Sequence, residues 1–102
     1  MFDSKEIEIE SIWISQRNLN RIELISQMIL DAEELPPIRL SQMPNGDIQV
    51  EDGHHRLLAI YLSGEKFLKE HQYVLVPKDS WCARIGKIDI LLKVWGCRNK
   101  DK

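Results

Sequence analysis

The sequence predicts an α+β domain in which a small mixed sheet, containing a β-hairpin, packs against two or more helices. Three observations carry that prediction. Asn45-Gly46 separates two alternating runs, Ile38-Arg39-Leu40-Ser41 and Ile48-Gln49-Val50-Glu51. Apolar residues recur at helical spacing at Ile22, Ile25, Met28, Ile29 and Ala32. A dense apolar run, Leu57-Leu58-Ala59-Ile60-Tyr61-Leu62, follows the turn Gly53-His54-His55-Arg56 without a spacer. The 102 residues, 43% of them hydrophobic, suit one core and hence one domain over 1–102.

The elements follow in order. Ile7, Ile9 and then Ile12, Ile14 alternate in two short pairs interrupted at Ser11, which predicts a bent strand or two short strands. Glu6, Glu8 and Glu10 mark its wet side. The polar connection 16–20 holds Asn18 and Asn20, either of which can cap a helix by accepting from its free N–H groups. From Arg21 an amphipathic helix of about three turns is expected, ended by Leu35-Pro36-Pro37 because proline cannot continue it. The hairpin comes next, with Asn45 and Gly46 at its centre because both tolerate positive φ. Ile38, Leu40, Ile48 and Val50 then share its buried face.

The helix opening at the histidines runs to Ser63, with Gly64 placed as a left-handed C-terminal residue. It should be buried on most sides, which fixes its start and makes the turn before it rigid. Residues 65–71 read as a polar connection. Tyr73-Val74-Leu75-Val76 reads as a buried strand ending at Pro77. In 88–95, Ile88, Ile90, Leu92 and Val94 alternate, so a strand is expected, although a helix would group Ile85, Ile88, Leu92 and Trp95. The basic tail 96–102 is expected to fray.

Composition excludes several classes of function. Fourteen basic and sixteen acidic side chains give a net charge of −2, unlike a protein that captures nucleic acid through a broad basic face. A local basic pocket is compatible with that balance. No apolar run approaches the ~20 residues that span a bilayer, and the N-terminus has no basic region leading into an apolar one. The two cysteines, Cys82 and Cys97, have no CxxC spacing and read as reduced thiols of a cytoplasmic protein. Their spacing to His71 or to the turn histidines supports no zinc site.

Chemistry concentrates at Glu51-Asp52-Gly53-His54-His55-Arg56. A strand that feeds a helix through a glycine turn leaves the first helical N–H groups pointing at whatever lies above it. Gly53 allows close backbone approach. Arg56 offers a fixed fork of donors for phosphate or carboxylate, and His54 and His55 can donate, accept or titrate. Arg21, set against the helix dipole's preference, is a further ligand candidate or a solvated arginine. If phosphoryl transfer occurs, Glu51, Asp52 and His54 are the nearest groups to orient or deprotonate an acceptor. For Asp52 the competing reading is a helix cap, and for Glu51 the solvent face of a strand.

Taken together, Leu35-Pro36-Pro37-Ile38 and Asp52-Gly53-His54-His55-Arg56-Leu57-Leu58-Ala59 resemble the ParB/sulfiredoxin superfamily, over residues 7–76. Sulfiredoxins carry a Pro-Pro-Ile strand, a hairpin and a Gly-Cys-His-Arg turn entering a helix. ParB proteins carry Gly-Glu-Arg-Arg at that turn. The resemblance implies that Gly53, His55 and Arg56 contact nucleotide phosphates, with Arg21 in the place of a basic helix residue that also reaches the nucleotide. It implies ATP or CTP as ligand, with Mg²⁺ riding on the phosphates, and NTP hydrolysis or small-molecule phosphotransfer as conceivable activities. His54 stands where a sulfiredoxin has its nucleophile, so sulfinate repair is not expected. The 26 residues after Val76 are too few for ParB's DNA-binding and dimerisation domains.

Two other readings stay open at this point. A ParB-like DNA-associated nuclease or regulatory module would hold a divalent ion on His54, His55 and Asp52. A non-catalytic interaction domain would use Trp13, Trp81 or Trp95 on a partner surface if they proved exposed.

Overall fold

Alternation and turn chemistry place a hairpin at the centre of the molecule, and the computed structural model, which describes residues 6–15, 22–31, 34–79 and 85–100, has it there. The readings made for Asn18, Asn20, Arg21, Ala32, Trp81 and Cys82 lie outside the described residues. In chain order the elements are β1 (Ile7–Glu8), α1 (Ile25–Leu30), β2 (Ile38–Gln42), β3 (Ile48–Asp52), α2 (His54–Leu62), β4 (Phe67–Leu68), β5 (Tyr73–Pro77) and α3 (Ile88–Lys100). The α+β class is therefore correct.

Strand β2 pairs antiparallel with β3 and parallel with β5, giving the order β3-β2-β5. On the far side of β3 the chain adds a parallel bridge from Trp13 to Gln49, and Ile14 in turn bridges Gly86. The bend expected near Ser11 is a 3₁₀ turn, Ile9–Ser11, which separates β1 from these bridges. The hairpin face predicted to be apolar carries Ile38, Leu40 and Val50 fully buried, with Ile48 half-buried. Against them pack Leu57, Leu58, Ala59 and Ile60 of α2, together with Ile9, Ile12, Ile14 and Ile25. This core holds the start of α2 still.

Several expectations need correction. The hairpin turn centres on Pro44 and Asn45, closed by Gly46 N–H donating to Met43 C=O at 2.9 Å, and Gly46 follows at φ +97°. Proline's fixed φ suits the first central position of a type I turn, so a single left-handed residue suffices. The helix expected from Arg21 is a 3₁₀ turn, Ile22–Leu24, followed by the short α1. Within 65–71, Phe67 and Leu68 form β4, paired with β1. Strand β5 exists, but at the sheet edge with Val74 and Leu75 exposed, not buried.

The largest correction is α3. Residues 88–95 are helix, not strand, and the helix continues through the predicted frayed tail to Lys100. The alternating pattern puts Leu91 on a wet face, yet Leu91 is fully buried beside Ile88, three residues earlier on the same helical face. Trp13 and Trp95 are half-buried, Trp95 against the core and Trp13 beneath the Lys87 amine at 4.5 Å. Neither forms the exposed aromatic surface that an interaction domain would need.

Candidate functional site

Strand β3 delivers the chain to Gly53, which turns at φ +115° and ψ 30° and serves as the N-cap of α2. Leu57 N–H to Gly53 C=O, at 2.8 Å, is the first bond of the helix. The N–H groups of the preceding turn thus have no carbonyl within the helix and face outward from its start. A Cβ on Gly53 would sit 3.1 Å from Ile38 Cγ2 and 3.4 Å from the Arg56 guanidinium. Backbone conformation and close approach both demand glycine there. Gly53→Ala is expected to cost about 2 kcal/mol of stability from the left-handed backbone alone, read as a lower urea midpoint at an unchanged slope.

Above this bend lies a cleft of about 190 Å³ lined by Leu24, Met28, Asp52, Gly53, His54, His55 and Arg56. Five of the seven predicted site residues are gathered there. Glu51 is not, and Arg21 lies outside the described residues. Glu51 turns to the sheet face, where Oε1 accepts from Arg39 Nε at 3.2 Å and Oε2 pairs with Lys78 Nζ at 2.7 Å. Lys78, then Ser41 and Arg39, hold its carboxyl down to about 2 against the opposing effect of burial.

Arg56 is the cation of the cleft wall. Its Nη1 donates to Pro37 C=O at 2.9 Å and Pro36 C=O at 3.3 Å, while Nη2 reaches Asp52 Oδ2 at 3.3 Å. The guanidinium therefore ties the Pro-Pro segment to the first turn of α2. Asp52 is not the helix cap, since no side chain caps α2 and its carboxylate goes to Arg56 instead.

His54 is 3% exposed, and its Nε2 accepts the Ser15 backbone N–H at 3.1 Å. The Ser15 hydroxyl donates to Val50 C=O at 3.0 Å. With Nε2 an acceptor, the neutral ring carries its proton on Nδ1. Burial, then the neighbouring His55 charge, pulls its pKa down to about 4, and Asp52 only partly opposes them. His54 thus stays neutral at ordinary pH and pins the segment before α1 to the start of α2. A nitrogen occupied in this way is not a free base. Ser15 gives no sequence signal as its partner, Met28 reads as core, and nothing in the sequence singles out Leu24. Helical spacing reports which residues share a face, not that the face borders a cleft.

Among the described residues no group of three or more His, Cys, Asp or Glu side chains could hold a metal ion. Among the described residues that line the cleft Asp52 is the sole carboxylate, and it is engaged by Arg56.

The mixed sheet, the glycine bend and the buried helix it opens define a ParB-like α+β fold. This fold is similar to that of the C-terminally truncated chromosome-partitioning protein ParB from Caulobacter crescentus, solved in complex with CTP-γ-S. The match has a TM-score of 0.50 and 18% identity, covering 99% of this chain and 54% of that one. The chain thus spans about half the length of the ParB chain it matches. No protein-family model and no curated protein matches the sequence. No described helix is long and apolar enough to cross a membrane.

Proposed function

We propose that this chain binds the phosphates of a nucleoside triphosphate, CTP first among them, at the Gly53 bend. The observation that carries the reading is the convergence of the first turn of α2, His55 and Arg56 on one cleft behind a glycine whose Cβ would intrude. Such a helix start favours anions through its dipole and outward N–H groups. The ParB structure of similar fold was solved with CTP-γ-S, which supports CTP over other bases. At about 190 Å³ the cleft is smaller than the roughly 300–1,000 Å³ that encloses a whole drug-sized ligand. It is scaled to phosphate groups.

The reading stops at binding. Glu51 is held away from the cleft by Arg39 and Lys78, His54 Nε2 is engaged with Ser15, and Asp52 is paired with Arg56. None of the three predicted acid–base groups stands free over the cleft, so the proposal is of binding and does not extend to turnover. Nor do His54, His55 and Asp52 support the nuclease reading, since they form no metal-holding group.

Thermal melting with CTP, ATP, GTP or UTP plus Mg²⁺ tests the proposal. A ligand at ~100 times its dissociation constant adds ~2.7 kcal/mol, which for a chain of this size raises Tm by roughly 10–20 °C. No shift with any nucleotide would overturn it. Asp52→Asn provides a finer check. The exposed carboxylate competes with phosphate for Arg56 and repels it, so its removal should tighten binding by about 2–5-fold, the scale of a surface ion pair.

A further inference from the structure

A second cavity, of about 430 Å³, opens where the 3₁₀ turn Ile9–Ser11, the last turn of α2 and the start of α3 meet. Glu10, Tyr61, Lys87, Ile88, Asp89 and Leu92 line it, and it shares no lining residue with the cleft at the Gly53 bend. Tyr61 stands five residues beyond Arg56, which places it about 7.5 Å further along α2 and roughly 140° around it. The volume falls within the roughly 300–1,000 Å³ of sites that enclose a small organic molecule. Nothing derived so far gives this cavity a use.

Its wall is selective in chemistry. The Tyr61 hydroxyl donates its single proton to Glu10 Oε2 at 2.5 Å, so both groups have only lone pairs left to offer. That bond also holds the phenol above its ordinary pKa and keeps it a donor to Glu10. Asp89, in the first turn of α3, has no hydrogen-bond or ion-pair partner among the described residues. Lys87 supplies the lining's positive charge, but its Nζ sits over the Trp13 ring, 4.5 Å from the centroid. Three of the four polar side chains thus present acceptors, two of them carboxylates, and the fourth is engaged elsewhere. Ile88, 3% exposed, and half-buried Leu92 make the apolar part of the wall.

We propose that this cavity binds a small organic cation, with its ammonium group between the Glu10 and Asp89 carboxylates and its hydrocarbon body on Ile88, Leu92 and the Tyr61 ring. An ammonium brings the donors that such a wall lacks and gains charge-assisted bonds to both carboxylates. The face of Tyr61 adds an attraction for the same charge. An anion would instead meet two like charges. The site is independent of what the Gly53 cleft binds.

Amide NMR titration without nucleotide tests the proposal, using hexylammonium, hexanol and hexanoate as probes of matched length. Hexylammonium should give saturable shifts at Glu10, Tyr61 and residues 87–92, and should bind about 10-fold or more tighter than hexanol or hexanoate, the scale of one charge-assisted bond. Glu10→Gln and Asp89→Asn should each weaken hexylammonium by about 10-fold while leaving the circular dichroism spectrum unchanged. Lys87→Gln, which removes the positive charge of the lining, should tighten it by about 2–5-fold. The absence of any saturable shift with hexylammonium overturns the proposal. So does equal binding of hexanol or hexanoate, or indifference to both carboxylate substitutions.

Discussion

In the Arg56→Ala variant, CTP should no longer raise the melting temperature at concentrations expected to shift the parent chain by many degrees. The reason is an inequality between what Arg56 does for the fold and what it would do for a triphosphate. In the free chain its guanidinium bonds two exposed carbonyls, Pro36 and Pro37, and a mostly exposed Asp52 carboxylate. When the side chain is cut back, water can replace it at all three, so the loss in stability should be only about 1 kcal/mol. Phosphate oxygens in the cleft would lose charge-assisted bonds that are each worth about 1.5–3 kcal/mol. Losing two such bonds weakens binding by roughly 150-fold or more. Arg56→Lys keeps the charge without the planar fork and should fall between. Calorimetric titration at a temperature where every variant is folded separates the two effects. An Arg56→Ala protein that binds CTP as tightly as the parent would remove Arg56 from the site.

This prediction was open to the sequence because the bend that holds Arg56 is a local matter. A glycine between an alternating strand and a dense apolar run has few other uses, and Gly53 at φ +115° meets that expectation. The hairpin was legible for the same reason. What escaped was whatever non-local partners decide. Glu51 lies on the strand that leads into the bend and reads as a site residue, yet Arg39 of β2 and Lys78 after β5 draw it to the opposite face. His54 and His55 look alike in the sequence, but only the fold brings Ser15 to His54 and buries it. In 88–95 both periods fit the same apolar residues, and the choice fell to the burial of Leu91, which only the assembled core supplies. Val74 and Leu75 read as interior because composition reports apolarity without reporting which strand ends the sheet.

The buried His54 should make the chain lose stability as the pH falls through a defined window. Its folded pKa is about 4, below the ordinary 6.5 that the unfolded chain keeps. Between those values the unfolded chain takes up a proton that the folded chain refuses. Stability is therefore complete above 6.5 and declines as pH drops toward 4, with a slope of at most about 1.4 kcal/mol per pH unit. Across the whole window the loss approaches 3 kcal/mol, a large share of the 5–15 kcal/mol that domains generally possess. Glu51 acts in the same direction but only lower down, since its carboxyl, depressed from 4.5 to about 2, loses its advantage as pH falls below 4.5. The two contributions thus separate on the pH axis. His54→Gln, which keeps an acceptor within reach of the Ser15 N–H but cannot titrate, should be less stable at neutral pH and nearly flat between 6.5 and 4.5. Urea unfolding of parent and variant at half-unit steps reads both slopes. If the variant declines as steeply as the parent across that interval, His54 is not the group that titrates, and its role as a neutral pin between Ser15 and the start of α2 fails with it.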